Sequence, residues 1–296
     1  SLAFDLGRAN DLLSPLFPAG FYYKTFMWPR AGWAALYEPL IRATTGLGRA
    51  PSQPDPDRYE SRYAHCDVLV VGAGPAGLAA ALSAAEGGAR VVLCDEQAEF
   101  GGSLLSDPWP RIDGSPAGEW LARTVAALSR YPRVRLLART TAFGYFPHNL
   151  IGLSERLTDH LAEPPTGRAR ERLWQLRAHE VVLATGAIEQ PLVFPGNDRP
   201  GIMLASAAQS YLHRYGVRAG SRAVVVTATD DAYRAALDLH EAGVKIAAIA
   251  DLRANANDAL LQAARGAGIE VMTRATVLGT RGNLRVGSID IGTRDN

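Results

Sequence analysis

The sequence predicts an α/β fold: a parallel sheet with a small antiparallel meander, followed by a second, degenerate copy of the parallel unit. Three observations predict it. Residues 68–71 form an apolar β-branched run that ends in Gly72, Gly74 and Gly77 and passes into an alanine- and leucine-rich stretch. Short segments of strand character then recur between Thr140 and Ala178. Further on, residues 224–237 overlay residues 69–82, so the strand, turn and helix pattern occurs twice. Repeated units of this kind define a Rossmann-like arrangement.

Residues 68–71 are the kind of run buried on both faces of a parallel sheet. Gly72, Ala73, Gly74, Pro75, Ala76 and Gly77 then spell GxGxxG where strand passes into helix. The first glycine permits a tight turn, the second lets backbone approach a pyrophosphate, and the third lets the helix pack close to the strand. The phosphates would sit on the helix N-terminus, where unpaired N–H groups and the positive dipole end favour anions. A helix is expected over 76–86, stopped by Gly87 and Gly88, with a returning strand at 90–94. Asp95 follows, where the acid that holds a ribose 2′-hydroxyl belongs, and an acid there argues against a 2′-phosphate. Residues 68–85 lack charge over a span that could read as a membrane helix, but three glycines and Pro75 break it.

The 296 residues exceed one ordinary domain, and 47% hydrophobic content is ample for a core. A net charge of +1 gives no reason to expect nucleic acid or a membrane surface as partner. Cys66 and Cys94 lie at the buried strands and read as core thiols of a cytoplasmic protein. The six histidines show no ligand spacing, so no metal site is expected, and no residue has the setting of a catalytic group.

Three segments are expected: a proline- and aromatic-rich arm over 1–62, a dinucleotide-binding domain over 63–200, and a degenerate Rossmann-like domain over 201–296, incomplete at its C-terminal end. Prolines limit the arm to short helices such as 33–44. Its centre, Phe21 to Pro29, reads either as rings packed on the next domain or as a surface on which a partner chain docks. After Asp95 and Glu96, the pair Gly101-Gly102 with Ser103 marks a loop passing close to the dinucleotide. A helix at 116–129, a strand at 134–137 and a meander at 140–147, 151–156 and 173–178 follow. The meander leads to a buried strand that ends in Thr185, Gly186 and Ala187, small enough for backbone to lie near the dinucleotide.

In the second unit Gly72, Gly74 and Gly77 are replaced by Thr227, Thr229 and Ala232. β-Branched threonines suit the special backbone angles of glycine poorly, and Asp230 with Asp231 places two negative charges where a pyrophosphate would sit. This unit is expected to be structural. A chain with one working site does not by itself pass hydride between two dinucleotides.

The order of fingerprint, acid, Gly-Gly, meander and Ala184-Thr185-Gly186 resembles the two-dinucleotide-binding-domain flavoproteins over residues 67–195. Three runs sharpen the likeness: FYYKTFMWP from Phe21, FGGSL from Phe100 and PGNDRPGIM from Pro195. With these the chain resembles the α subunits of heterotetrameric sarcosine oxidases and related amine, opine and proline dehydrogenase subunits. The resemblance implies NAD at the first fingerprint, with β, γ and δ subunits as partners and the flavin and amine chemistry chiefly on β. It implies dinucleotide contacts at Gly72, Ala73, Gly74, Pro75, Ala76, Gly77, Asp95, Glu96, Gly102, Ser103, Thr185 and Gly186. A full α subunit would also have a ferredoxin-like domain before this region and a folate-binding domain after it. The reaction implied is oxidative demethylation of sarcosine to glycine with hydrogen peroxide. Two alternatives stand beside it: a self-sufficient FAD-dependent amine or opine dehydrogenase, and a non-catalytic nucleotide-binding assembly module.

Overall fold

A computed structural model of the chain describes residues 28–45, 48, 52–283 and 285–293. The chain divides into two compact units between Pro56 and Asp57. In the first, a wide helical turn at Trp33–Tyr37 runs into α1, Glu38–Thr45, where the short helix was expected. The aromatic residues Phe21 to Met27 lie outside the described residues.

In the second unit β1, Tyr59–Val71, is far longer than residues 68–71 foretell. It leads through the glycine turn into α2, Pro75–Glu86, and back along β2, Val91–Cys94. A small hairpin of β3, Arg111–Ile112, and β4, Ser115–Pro116, precedes α3, Ala117–Leu128, and β5, Val134–Leu137. The meander is β6, Thr140–Phe146, β7, Leu150–Arg156, and β8, Glu171–Leu183. The sheet order is β5-β2-β1-β8-β7-β6, parallel from β5 to β8 and antiparallel beyond.

The expected third meander strand and the strand entering Thr185 are one element, β8, which pairs with β1 from Tyr59↔Glu171 to Val71↔Leu183. The strand is not buried at its end: Leu183 is 66% exposed. The register explains this, because β7 pairs only as far along β8 as Arg177, so residues 180–183 have β1 as their single ladder partner. The sheet buries both faces. Val70, Val91 and Leu93 meet Leu78, Ala81 and Leu128 on one side, while Leu69, Val92 and Cys94 share a cluster with Ile151, Leu153, Trp174 and Leu176 on the other.

The degenerate repeat is also present. After α4, Ala205–Tyr215, which the sequence pattern does not foretell, come β9, Arg222–Thr227, α5, Asp231–Glu241, and β10, Lys245–Asp251. Then α6, Asp258–Gly266, leads to β11, Val271–Met272, and a parallel sheet of order β11-β10-β9. An unforeseen antiparallel ribbon of β12, Ala275–Arg281, and β13, Ser288–Thr293, follows. Among the described residues no helix is long and apolar enough to cross a membrane, and no cluster of three or more His, Cys, Asp or Glu is placed to hold a metal.

Candidate functional site

The glycine turn leaves β1 at Gly72, whose φ of +97° is a conformation that favours glycine. A Cβ at Gly72 would run into the Ala184 carbonyl oxygen, so this turn lies directly on the chain leaving β8. The Ala184 N–H donates to the Val71 carbonyl at 2.8 Å and holds the two together. Gly77 is buried in the first turn of α2, where a Cβ would collide with the Gly72 carbonyl. At Gly102, φ is +55° and a Cβ would lie 2.8 Å from the Gly74 Cα. These three glycines are required by the protein's own packing.

Gly74 is different. Its φ of −71° and ψ of −176° are open to any residue, and a Cβ there would meet no protein atom nearer than the Gly102 Cα at 4.0 Å. Neither strain nor internal crowding asks for glycine at this position. Its bare backbone leaves open the space where a pyrophosphate is expected to approach. Gly74 is also the N-cap of α2, with no side chain bonded to the helix start and Pro75 in the first turn, so that end of the helix has donors and dipole to offer an anion.

The acid joins this cradle from the next strand. Asp95 Oδ2 accepts the Ala73 N–H at 2.6 Å, and Oδ1 accepts the Gln97 N–H at 2.8 Å. The Ala73 carbonyl accepts the Gly101 N–H at 2.8 Å, tying the second glycine loop to the first. Ala73 and Gly77 are buried and hold the cradle from within. Gly72, Gly74, Pro75 and Asp95 are half-buried; Ala76, Glu96, Gly102, Ser103, Thr185 and Gly186 are exposed. Ser103 lies in a short 3-10 turn, Gly102–Leu105, and Gly186 continues the exposed chain beyond β8 with φ of +73°. All twelve expected residues thus fall on four connected pieces: the glycine turn, the end of β2, the Gly101-Gly102 loop and the chain after β8. The expected contacts omit Gly101 and the Ala184 carbonyl, which complete the cradle. Both act through tertiary contacts, and the sequence signals for them were the Gly101-Gly102 pair and the Ala184-Thr185-Gly186 run in which they stand.

The cysteines are not placed for redox exchange. Both are free and buried, and burial pushes the thiol of Cys66 up to about 11 and that of Cys94 up to about 12.

The second turn is built otherwise. Thr227 is buried, and its hydroxyl accepts the Thr229 N–H and donates to the Thr229 carbonyl, both at 2.9 Å. No residue from Thr227 to Ala232 has positive φ. The expected pair of bare charges is corrected here: Asp230 is ion-paired with Arg253 at 2.9 Å, while Asp231 is exposed, 3.7 Å from Arg234. Arg253 also binds Asp251, a fully buried acid at the end of β10 that accepts the Tyr233 hydroxyl at 2.9 Å. Burial opposes the Asp251 charge, yet Arg253 and Tyr233 together hold its carboxyl below the usual carboxylate range.

The pyridine nucleotide-disulphide oxidoreductase family model matches residues 66–293, a span that holds both copies of the strand, turn and helix pattern. The chain belongs to this family. It is 49% identical to the alpha chain of sarcosine oxidase from Rhizobium meliloti (strain 1021) over 291 residues, covering 98% of this chain and 29% of that protein. An opine oxidase chain from Agrobacterium tumefaciens (strain Ach5) is 33% identical over 183 residues, 60% of this chain and 35% of its own length. The chain therefore spans about a third or less of these relatives. Among solved structures, L-proline dehydrogenase from P. horikoshii aligns with a TM-score of 0.53 at 21% identity, over 81% of this chain and 41% of that one. Thioredoxin reductase from T. acidophilum aligns with a TM-score of 0.54 at 17% identity, over 77% and 70%. Likeness at that distance shows the fold that these chains share.

Proposed function

We propose that this chain is the NAD-binding part of an oxidoreductase of the sarcosine oxidase type, working in the cytoplasm with β, γ and δ partner subunits. The observation that carries this reading is the contrast between the two turns: Gly74 leaves its surroundings open, whereas Thr227 and Arg253 tie the second turn to itself. One dinucleotide per chain offers no second cofactor to exchange hydride with, so oxidation of the amine belongs to a partner. The 49% identity to a sarcosine oxidase chain supports a secondary amine as substrate of the whole assembly. In that assembly sarcosine, dioxygen and water give glycine, formaldehyde and hydrogen peroxide.

Bound NAD would supply a nicotinamide able to accept or donate hydride. This chain's part is binding. The start of α2 would hold the pyrophosphate, the acidic end of β2 would lie beside the adenosine ribose, and Thr185 and Gly186 would line the cofactor. Denaturing the purified protein and weighing the released small molecule tests the reading. NAD is the expected product. A released flavin, with its yellow absorbance, would instead establish a self-sufficient flavin dehydrogenase, and full turnover by an empty chain would mark a dispensable assembly ligand.

A further inference from the structure

We infer that α4 is a clasp across the two loops that flank the dinucleotide site, and that Asp238 of α5 is the positioning residue that holds it there. This rests on the dinucleotide reading and gives the degenerate repeat a part in it. One loop is the chain after β8, which carries Thr185 and Gly186. Just beyond Gly186, the Glu189 carboxylate accepts the Ala205 N–H at 3.1 Å and the Ser206 N–H at 2.8 Å, and so caps the start of α4. The other loop carries Gly101, Gly102 and Ser103, and α4 takes it on both sides. Arg214 pairs with Glu99 at 2.9 Å, and the Ser210 hydroxyl donates to that of Ser106 at 3.0 Å. The Ser103 carbonyl accepts the Ser106 and Asp107 N–H groups, each at 3.0 Å, so the grip on Ser106 reaches the glycine pair.

Asp238 ties these grips together. It is buried, and its carboxylate accepts Trp109 Nε1 from the far end of the glycine loop and both Gln209 Nε2 and His213 Nε2 from α4, the last two at 2.8 Å. A buried carboxylate is costly without its donors, so loop, α4 and α5 are held in one geometry. The helix needs this support. It has 11 residues, too few for a helix to stand by itself, and Ala208 is the one residue it buries. Apolar packing is thin, and the polar grips therefore decide whether α4 is docked. None of the gripping residues is itself an expected dinucleotide contact. A dinucleotide that orders both loops favours the docked helix, and by linkage the docked helix favours the dinucleotide.

Calorimetric titration of the intact protein with NAD, well below the melting temperature, and amide hydrogen exchange with and without NAD test the clasp. Saturating NAD should slow exchange along residues 205–215 as well as in the glycine turn. Asp238→Asn keeps the shape but turns amide donors toward donors, and it should weaken NAD by roughly five- to fiftyfold and abolish the slowing in α4 while the glycine turn keeps its own. Asp251→Ala is the control, since its partners Tyr233 and Arg253 lie outside α4. It unsettles the degenerate repeat and should leave NAD affinity within about twofold. If Asp251→Ala loses as much affinity as Asp238→Asn, the effect is general destabilisation and the inference is overturned. An Asp238→Asn protein with parental affinity overturns it too, and so does exchange in α4 that NAD leaves unchanged in the unmodified chain. That last measurement needs no variant, so it decides even if Asp238→Asn does not fold. Failure of the unmodified chain to take up NAD at all appears in the first titration and overturns the dinucleotide reading itself.

Discussion

The Cα of Gly74 lies where a Cβ on Gly102 would come within 2.8 Å, yet a Cβ on Gly74 would find nothing nearer than 4.0 Å. The two glycines face each other, and only Gly102 is held to glycine by the protein. Gly74→Val should therefore separate binding from folding. NAD affinity should fall by roughly a hundredfold or more as the branched side chain fills the pyrophosphate space. The melting temperature should move by only about a few degrees, reflecting a poorer helix cap. Calorimetry and a thermal melt on one preparation read both. Unchanged affinity would remove the pyrophosphate from this turn.

Gly77→Ala should do the reverse. Its new methyl group would push against the Gly72 carbonyl inside the first turn of α2. The expected cost is about 1–3 kcal/mol of stability, the range for overpacking a close contact. Urea unfolding measures it, and a variant as stable as the parent would show that the helix can back away from β1 freely.

The burial of the two thiols predicts their reactivity. Cys66 and Cys94 sit in the same apolar cluster, with thiols pushed up to about 11 and about 12. Iodoacetamide at about pH 8 should label neither in the folded protein and both in urea, because the thiolate is the nucleophile. Rapid labelling of native protein, read by mass spectrometry, would contradict the packing of β1 against β2.

The first dinucleotide unit was legible because local signals agreed with its packing: the β5 boundaries at 134–137 match the expected strand, and α2 begins one residue from its predicted start. Strand lengths were not legible. Tyr59 to Asp67 are mostly exposed and polar, and they become strand only by pairing with β8, a partner more than a hundred residues away. The acid of the second unit was hidden for a geometric reason. β9 and β10 pair in the same offset as β1 and β2 up to Ile246, and a bulge then inserts one residue before Ala248. Asp251 is thereby paired with Thr227 and stands as the counterpart of Asp95, one place beyond where a fixed offset looks for it. The bent register also explains why bare charge was the wrong emphasis at Asp230: Arg253, which neutralises it, follows that hidden acid by two residues.

Asp251 should contribute stability that depends on pH. Its folded carboxyl is held below the usual carboxylate range, so the contribution is fully present above the unfolded value, about 3.9, and is lost as pH falls through the lower folded value. Asp251→Ala should cost about 3–5 kcal/mol near neutral pH, since it leaves Arg253 and the Tyr233 hydroxyl without their shared partner. The gap between variant and parent should narrow below about pH 4. Urea unfolding at several pH values reads this, and a gap that stayed constant into acid would mean that Asp251 is not charged in the folded protein.

The same cluster predicts a stoichiometry. In the first dinucleotide unit the acid after β2 reaches back to the Ala73 N–H and leaves the glycine turn open outward; in the second, Asp251 draws in Arg253, whose guanidinium also grips Asp230 at the start of α5. Thr227 meanwhile spends its hydroxyl on Thr229. An entering pyrophosphate would have to displace an ion pair to Asp230 and would then meet that carboxylate uncompensated, at a cost of about 1 kcal/mol or more even with water present. One dinucleotide per chain is the expected result of equilibrium dialysis with labelled NAD. Replacing Thr227, Thr229 and Ala232 with glycine and Asp230 with proline should not restore a second site, because Arg253 and the buried Asp251 remain. Two saturable sites of comparable affinity in the unmodified chain would show that the second turn opens, and that Arg253 is a gate and not a plug.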